Sequence, residues 1–178
     1  MKINKKQKIF FLVILFFLMI KQKGFFMYGL ISEQHLKDII RNVVSNLGGG
    51  LNAELLLWET AGAETNFGNT PDFSPNSGYG LMQFDFLGFA DTQHRTKQSI
   101  KDKIKHIWGI EVDEINIKEL NYSPFLSVLF ARLKYMLIPD PIPDTLIKRA
   151  TYWKKYYNSS KGKGTIEHFI QTNINKGF

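Results

Sequence analysis

The sequence predicts a mainly α-helical fold, and three observations carry that prediction. Leu36, Ile39, Ile40, Val43, Val44 and Leu47 recur at helical spacing behind Ser32, an N-cap residue type. The segment Ser123 to Leu137 is apolar almost throughout and long enough for about four helical turns. No internal repeat and no sustained apolar-polar alternation occurs, so nothing in the chain calls for an extended sheet.

The elements follow in order. The first helix runs from Ser32 to the break Gly48-Gly49-Gly50, and Asn52 is expected to cap the next, a largely apolar helix from Ala53 to Phe67. Glu54, Glu59 and Glu64 lie on it at intervals of five, about 140° apart around the axis, so they do not share a face. Asn69 to Ser77 has the Asn, Pro, Ser, Asp and Gly content of a loop or short irregular hairpin. Further helices are expected over Thr96 to Trp108, Ser123 to Leu137, Asp144 to Tyr157 after a run of three prolines, and Thr165 to Thr172.

At 178 residues the chain has the length of one domain. Its net charge of +7 is concentrated at the start, where Lys2, Lys5, Lys6, Lys8, Lys21 and Lys23 precede Met27 with no acid among them. The remainder carries 17 basic against 16 acidic residues, too even a balance for a nucleic-acid-binding face. Lys97, Lys101, Lys103 and Lys105 read as a solvated helix face. With no cysteine, disulfides and thiol catalysis are excluded; His35, His94, His106 and His168 show no metal-ligand spacing, and no metal or cofactor is expected.

Residues 1–26 have the layout of an export signal or retained anchor, with lysines ahead of the apolar run Ile9 to Ile20. That run is shorter than the roughly 20 residues of a spanning helix, and Lys21-Gln22-Lys23-Gly24 follows where a small-residue cleavage site would stand. The competing reading is a start at Met27, with 1–26 an upstream extension. Either way the globular part is taken as 27–178, with membrane contact confined to 1–26.

The chemistry is read from Glu64. A glutamate in the last turn of an apolar helix meets the negative end of the helix dipole and low polarity, both of which favour the protonated carboxyl that a general acid needs near neutral pH. Sixteen positions later comes Gly80-Leu81-Met82-Gln83, preceded by Gly78 and Tyr79. Glycines at 78 and 80 suit close approach of backbone to a sugar, Gln83 can donate to and accept from hydroxyl and acetamido groups, and Tyr79, Phe84 and Tyr157 suit stacking or cleft lining. Glu59, beside Trp58, is the rival acid, but it lies twenty-one residues from Gly80.

With Glu64-Thr65-Asn66-Phe67 and Gly80-Leu81-Met82-Gln83 in this order, the chain resembles the lysozyme-like lytic transglycosylases of the soluble type and related phage endolysins. In that family a helix ends in Glu-Ser/Thr-x-Phe, a loop of about this length follows, and Gly-Leu-Met-Gln forms the other wall of a sugar cleft. Tyr156-Tyr157-Asn158 with Gly162-Lys163-Gly164 is similar to the family's late Tyr-Asn-x-Gly segment, and Phe84-Asp85 after the glutamine is closer to endolysin-like members.

The resemblance implies a lysozyme-like single domain with a short irregular or small β segment between the catalytic helix and Gly-Leu-Met-Gln. It implies cleavage of the β-1,4 bond between N-acetylmuramic acid and N-acetylglucosamine in peptidoglycan by a monomer, with Glu64 as general acid and base. Tyr79, Gly80, Met82, Gln83, Tyr157 and Asn158 would bind substrate, with Asp85 in support; Asp72 and Asp91 also lie near the motif, and the spacing singles out none of the three as a second carboxylate. Location follows the N-terminus: periplasm or envelope if 1–26 is a signal or anchor, cytoplasm until phage lysis if it is not. The alternative of another class is a lysozyme-like module of an envelope apparatus that binds glycan without cutting it.

Overall fold

The computed structural model describes residues 28–70, 78–158 and 164–178. The lysine-rich apolar segment 1–26, the centre of the loop at 71–77, and 159–163 of the late motif lie outside the described residues.

Seven α-helices make up the described chain: α1 (Glu33–Leu47), α2 (Gly50–Thr65), α3 (Phe86–Arg95), α4 (Gln98–Trp108), α5 (Pro124–Met136), α6 (Leu146–Trp153) and α7 (Ile166–Asn173). Short 3₁₀ turns at Val112–Glu114 and Ile117–Asn121 join α4 to α5, and a π-helical turn at Lys154–Asn158 prolongs α6. The mainly α class is as the sequence predicts. Among the described residues the only β feature is one antiparallel bridge between Tyr79 and Phe84, so no β segment forms ahead of Gly80 in the described part of that stretch.

Helices α2 and α5 form the centre, and their sequences show why. Both are buried on nearly every side, α2 through Ala53, Leu56, Leu57, Trp58 and Ala61 and α5 through the unbroken run Leu126 to Leu133. A helix apolar all round has no face to give to water and is enclosed by others. Helix α1, with one buried stripe at Leu36, Ile39, Ile40, Val43 and Val44, packs on both, and α7 and α6 close the far side of α2. The buried side chains form one continuous core.

Four boundaries differ from expectation. The second helix starts at Gly50 with Gly49 as N-cap, while the Asn52 amide donates instead to the Ile142 carbonyl (3.3 Å). Thr96 ends a helix rather than starting one: its hydroxyl donates to the Thr92 carbonyl (2.6 Å) at the close of α3, and α4 begins at Gln98. Helix α3 was illegible because its first residues, Phe86 and Leu87, are exposed and only Phe89 and Thr92 are buried, which leaves little periodic signal. Asp144 lies ahead of the Thr145 N-cap, and the expected helix to Tyr157 changes to π geometry at Lys154. Among the described residues no helix is long and apolar enough to cross a membrane.

Candidate active site

Glu64 occupies the last turn of α2, and the chain beyond it turns back at once. Asn66 and Phe67 both take left-handed backbone conformations (φ 47° and 56°), with the Asn66 and Phe67 N–H groups returned to the Gly62 and Ala61 carbonyls. Such conformations cost on the order of 1 kcal/mol or more for residues other than glycine, so burial must hold them. Phe67 supplies it, fully buried with its ring 4.4 Å from that of Trp58. Gln83 is left-handed as well (φ 49°), so three of the four non-glycine residues of this kind among the described residues flank the site.

Thr65 joins the two motifs. Its buried hydroxyl lies 2.9 Å from the Leu81 carbonyl oxygen and 3.2 Å from that of Ala61, and accepts the Gly68 N–H (3.1 Å). The spacing of sixteen residues thus closes as a physical contact at the wall of Glu64. The segment 79–84 is itself a tight turn, with Tyr79 and Phe84 exchanging both backbone hydrogen bonds (2.8 and 3.0 Å). Its glycines answer to protein neighbours: a Cβ on Gly80 (φ 72°) would meet Ser127 Oγ at 2.3 Å and the Leu120 carbonyl at 2.4 Å, and one on Gly78 would meet the Gln83 carbonyl at 2.2 Å. The Gly80 N–H donates to Asn121 Oδ1 (2.7 Å) and the Leu81 N–H to Ser127 Oγ (3.2 Å), which fastens the turn to the start of α5.

Burial lifts the Glu64 carboxyl from the usual range to about 7, against the opposing pull of the Trp153 indole N–H and the Lys134 ammonium. Trp153 Nε1 donates to Oε1 at 3.0 Å. The other oxygen, Oε2, has no hydrogen-bond partner among the described residues, and the half-buried Glu64 lines a cavity. A carboxyl near half-protonation at neutral pH, held by one oxygen and open at the other, can give up a proton and take one back. A cavity of about 430 Å³ reaches it, lined by Gly62, Ala63, Asn66, Thr70 and His168 among others. His168 Nε2 contacts the Ala63 carbonyl at 2.9 Å.

The remaining expected residues divide. Tyr157 is buried and donates its hydroxyl to the Met82 carbonyl (2.8 Å), so the late motif and the Gly-Leu-Met-Gln turn meet. Among the described residues, however, neither Tyr157 nor any of Tyr79, Gly80, Met82, Gln83 and Asn158 lines the cavity at Glu64. Met82 is fully buried and Tyr79 half-buried; both shape the turn through backbone. The Gln83 amide donates to the Gly80 carbonyl (2.9 Å) and the Tyr28 hydroxyl (3.2 Å), leaving its oxygen unengaged among the described residues. Asn158 Oδ1 accepts from Lys154 Nζ (2.8 Å), and its amide nitrogen sits against Gly164. Asp85 is exposed and caps α3 by accepting the Gly88 N–H (2.6 Å).

Glu59 is bound otherwise. Both of its oxygens take hydrogen bonds from Arg149 (2.6 and 2.7 Å), and both side chains are about 5% exposed. Sequence reasoning missed Arg149, Thr65 as a tie, Trp153 and Lys134. Two of them left a trace: Trp153 stands four residues before Tyr157, one turn away on the same face, and Lys134 is a lone lysine in a long apolar helix. Among the described residues no group of three or more His, Asp and Glu side chains is placed to hold a metal ion. Comparison with known proteins finds no matching family model, curated protein or solved structure.

Proposed function

We propose that the protein is a lysozyme-like glycosidase of peptidoglycan that cleaves the β-1,4 bond between N-acetylmuramic acid and N-acetylglucosamine, with Glu64 as acid and then base. The observation that carries the reading is the state of Glu64: a carboxyl raised to about 7, anchored through one oxygen, open at the other and tied through Thr65 to the Gly-Leu-Met-Gln turn. Glu64 hands its proton to the glycosidic oxygen as the bond to C1 of the muramic acid breaks and positive charge gathers there. The carboxylate left behind then accepts a proton from the attacking nucleophile. Asp85 is engaged as a helix cap and Glu59 by Arg149, and Asp72 lies outside the described residues. Attack by the sugar's own 6-hydroxyl, which needs only one carboxylate, would form a 1,6-anhydro end by the lytic transglycosylase route, and attack by water would leave a reducing end.

Under this reading the chain acts alone on glycan strands, and residues 1–26 decide whether it reaches the wall by export or by release at phage lysis. The test is digestion of purified peptidoglycan by the protein and by Glu64→Gln, with the muropeptides resolved by mass spectrometry. Products lighter by one water than hydrolytic ones establish the anhydro route, and reducing ends establish a muramidase, in each case with Glu64→Gln inactive. A folded wild-type protein that binds strands and releases nothing leaves the glycan-binding module instead.

A further inference from the structure

One wall of the cavity at Glu64 belongs to α7, which brings His168, Gln171 and Thr172 to it. Residues three and four apart share a helix face, and the buried face behind them fixes this one in place. Phe169 is fully buried, its ring 5.0 Å from that of Trp153, the residue that holds Glu64. The Asn173 amide donates to the Glu59 carbonyl of α2 (2.9 Å) and to the Phe169 carbonyl (2.8 Å). Gly62 lets the two helices approach, since a Cβ there would lie 2.4 Å from Asn173 Oδ1 and 2.7 Å from Phe67 Cζ. On the cavity side His168 Nε2 meets the Ala63 carbonyl at 2.9 Å. Contacts on both faces of α7 thus hold it in register with the acid.

The polar groups along this cavity are open. Among the described residues the Gln171 and Asn66 amides and the Thr70 hydroxyl form no hydrogen bond. Thr70 is placed by its own backbone, whose N–H donates to the Thr65 carbonyl (2.9 Å), and Asn66 by its left-handed turn. The Ala63 carbonyl can only accept, so Nε2 of His168 carries the hydrogen and Nδ1 of the neutral ring is left as an acceptor. Thr172 is engaged, its hydroxyl donating to the His168 carbonyl (2.9 Å). No lysine or arginine lines the cavity among the described residues, so no fixed cation is there for a phosphate or carboxylate. Two amides, a hydroxyl and an imidazole acceptor instead match a neutral ligand rich in hydroxyl and acetamido groups. The volume of about 430 Å³ falls within the range of small-molecule sites, roughly 300–1,000 Å³.

We infer that α7 carries the sugar-recognition wall of the Glu64 site: Gln171 and His168, with Asn66 and Thr70 from the chain after α2, bind an uncharged N-acetyl sugar of the glycan strand against the acid. The inference rests on the glycosidase reading. It moves substrate recognition from the Gly-Leu-Met-Gln turn, which does not line this cavity, to the last helix. Gln171 can serve both ends of an acetamido group, donating to its carbonyl or accepting its N–H.

The test titrates a β-1,4-linked tetramer of N-acetylglucosamine into the full chain carrying Glu64→Gln, so that no cleavage intervenes, and follows backbone amide shifts by ¹H–¹⁵N NMR. Shifts are expected at 62–66, 70 and 168–172. Gln171→Ala added to Glu64→Gln is expected to weaken binding about five- to tenfold, the loss of one hydrogen bond to a neutral partner. Gln171 is exposed, so the fold should be kept, and circular dichroism verifies it. With Glu64 intact, Gln171→Ala should raise KM for peptidoglycan by a similar factor with kcat little changed, as loss of binding common to ground and transition states does. Shifts confined to other residues, no binding, or an affinity unmoved by Gln171→Ala overturns the inference. Peptidoglycan left uncut by the wild type while the tetramer still binds along α7 would instead sink the glycosidase reading and leave the sugar-binding wall standing.

Discussion

Glu59 and Glu64 lie five residues apart on one helix, and their surroundings assign them opposite work. Glu59 faces inward, both oxygens clasped by Arg149 in a buried bidentate pair. Glu64 stands one and a half turns later, where the helix stops, held by a single indole N–H and reached by a cavity. Burial raises both carboxyls, but only Glu59 has a guanidinium against it. The same side chain is paired with a buried cation at one position and held by a single neutral donor at the other.

The sharpest way to break this contrast is the pair Glu64→Gln and Arg149→Met. Glu64→Gln should cut peptidoglycan digestion by about 10³-fold or more while the circular dichroism spectrum is retained. Arg149→Met, which strands Glu59 as a buried charge, should cost about 3–5 kcal/mol in urea unfolding, with digestion per folded molecule preserved. If Arg149→Met silences a folded protein, Glu59 is not confined to structure.

Stability against pH sharpens the comparison further. The folded Glu64 carboxyl titrates at about 7, above the unfolded value of 4.5, so its contribution is whole below 4.5 and is lost as pH rises through 7. Wild type should therefore lose on the order of 2 kcal/mol between pH 5 and pH 8 relative to Glu64→Gln, read from parallel urea melts. A constant difference across that range would place Glu64 in water. A smaller effect is expected at the tie between the motifs: Thr65→Val removes the donor to the Leu81 carbonyl and should cost about 1 kcal/mol in the same melts.

The sequence was most legible where one physical cause dominates. The stripe of α1, the Ser32 cap and the apolar α5 each follow from local pattern, and the place of Glu64 in the last turn of an apolar helix was legible in the same way. Trp153, the partner of Glu64, was harder to see because it comes from α6, 89 residues away, and no local pattern reports which distant side chains meet. Gly78 and Gly80 were read as making room for sugar; the crowding there is against Gln83, Leu120 and Ser127, contacts that only the packed turn reveals. Asp85 belongs to α3, whose exposed Phe86 and Leu87 hid the helix that it caps.

The proposed reaction requires Glu64 to be protonated when substrate binds. The measurement is the rate of peptidoglycan digestion by wild-type protein from pH 5 to pH 9 at substrate well below saturation. A fall on the alkaline side centred near pH 7 is expected, where the free protein loses the proton that must be donated. A rate that is level or rising from pH 6 to pH 8 would contradict it, because the acid would then be a group other than Glu64.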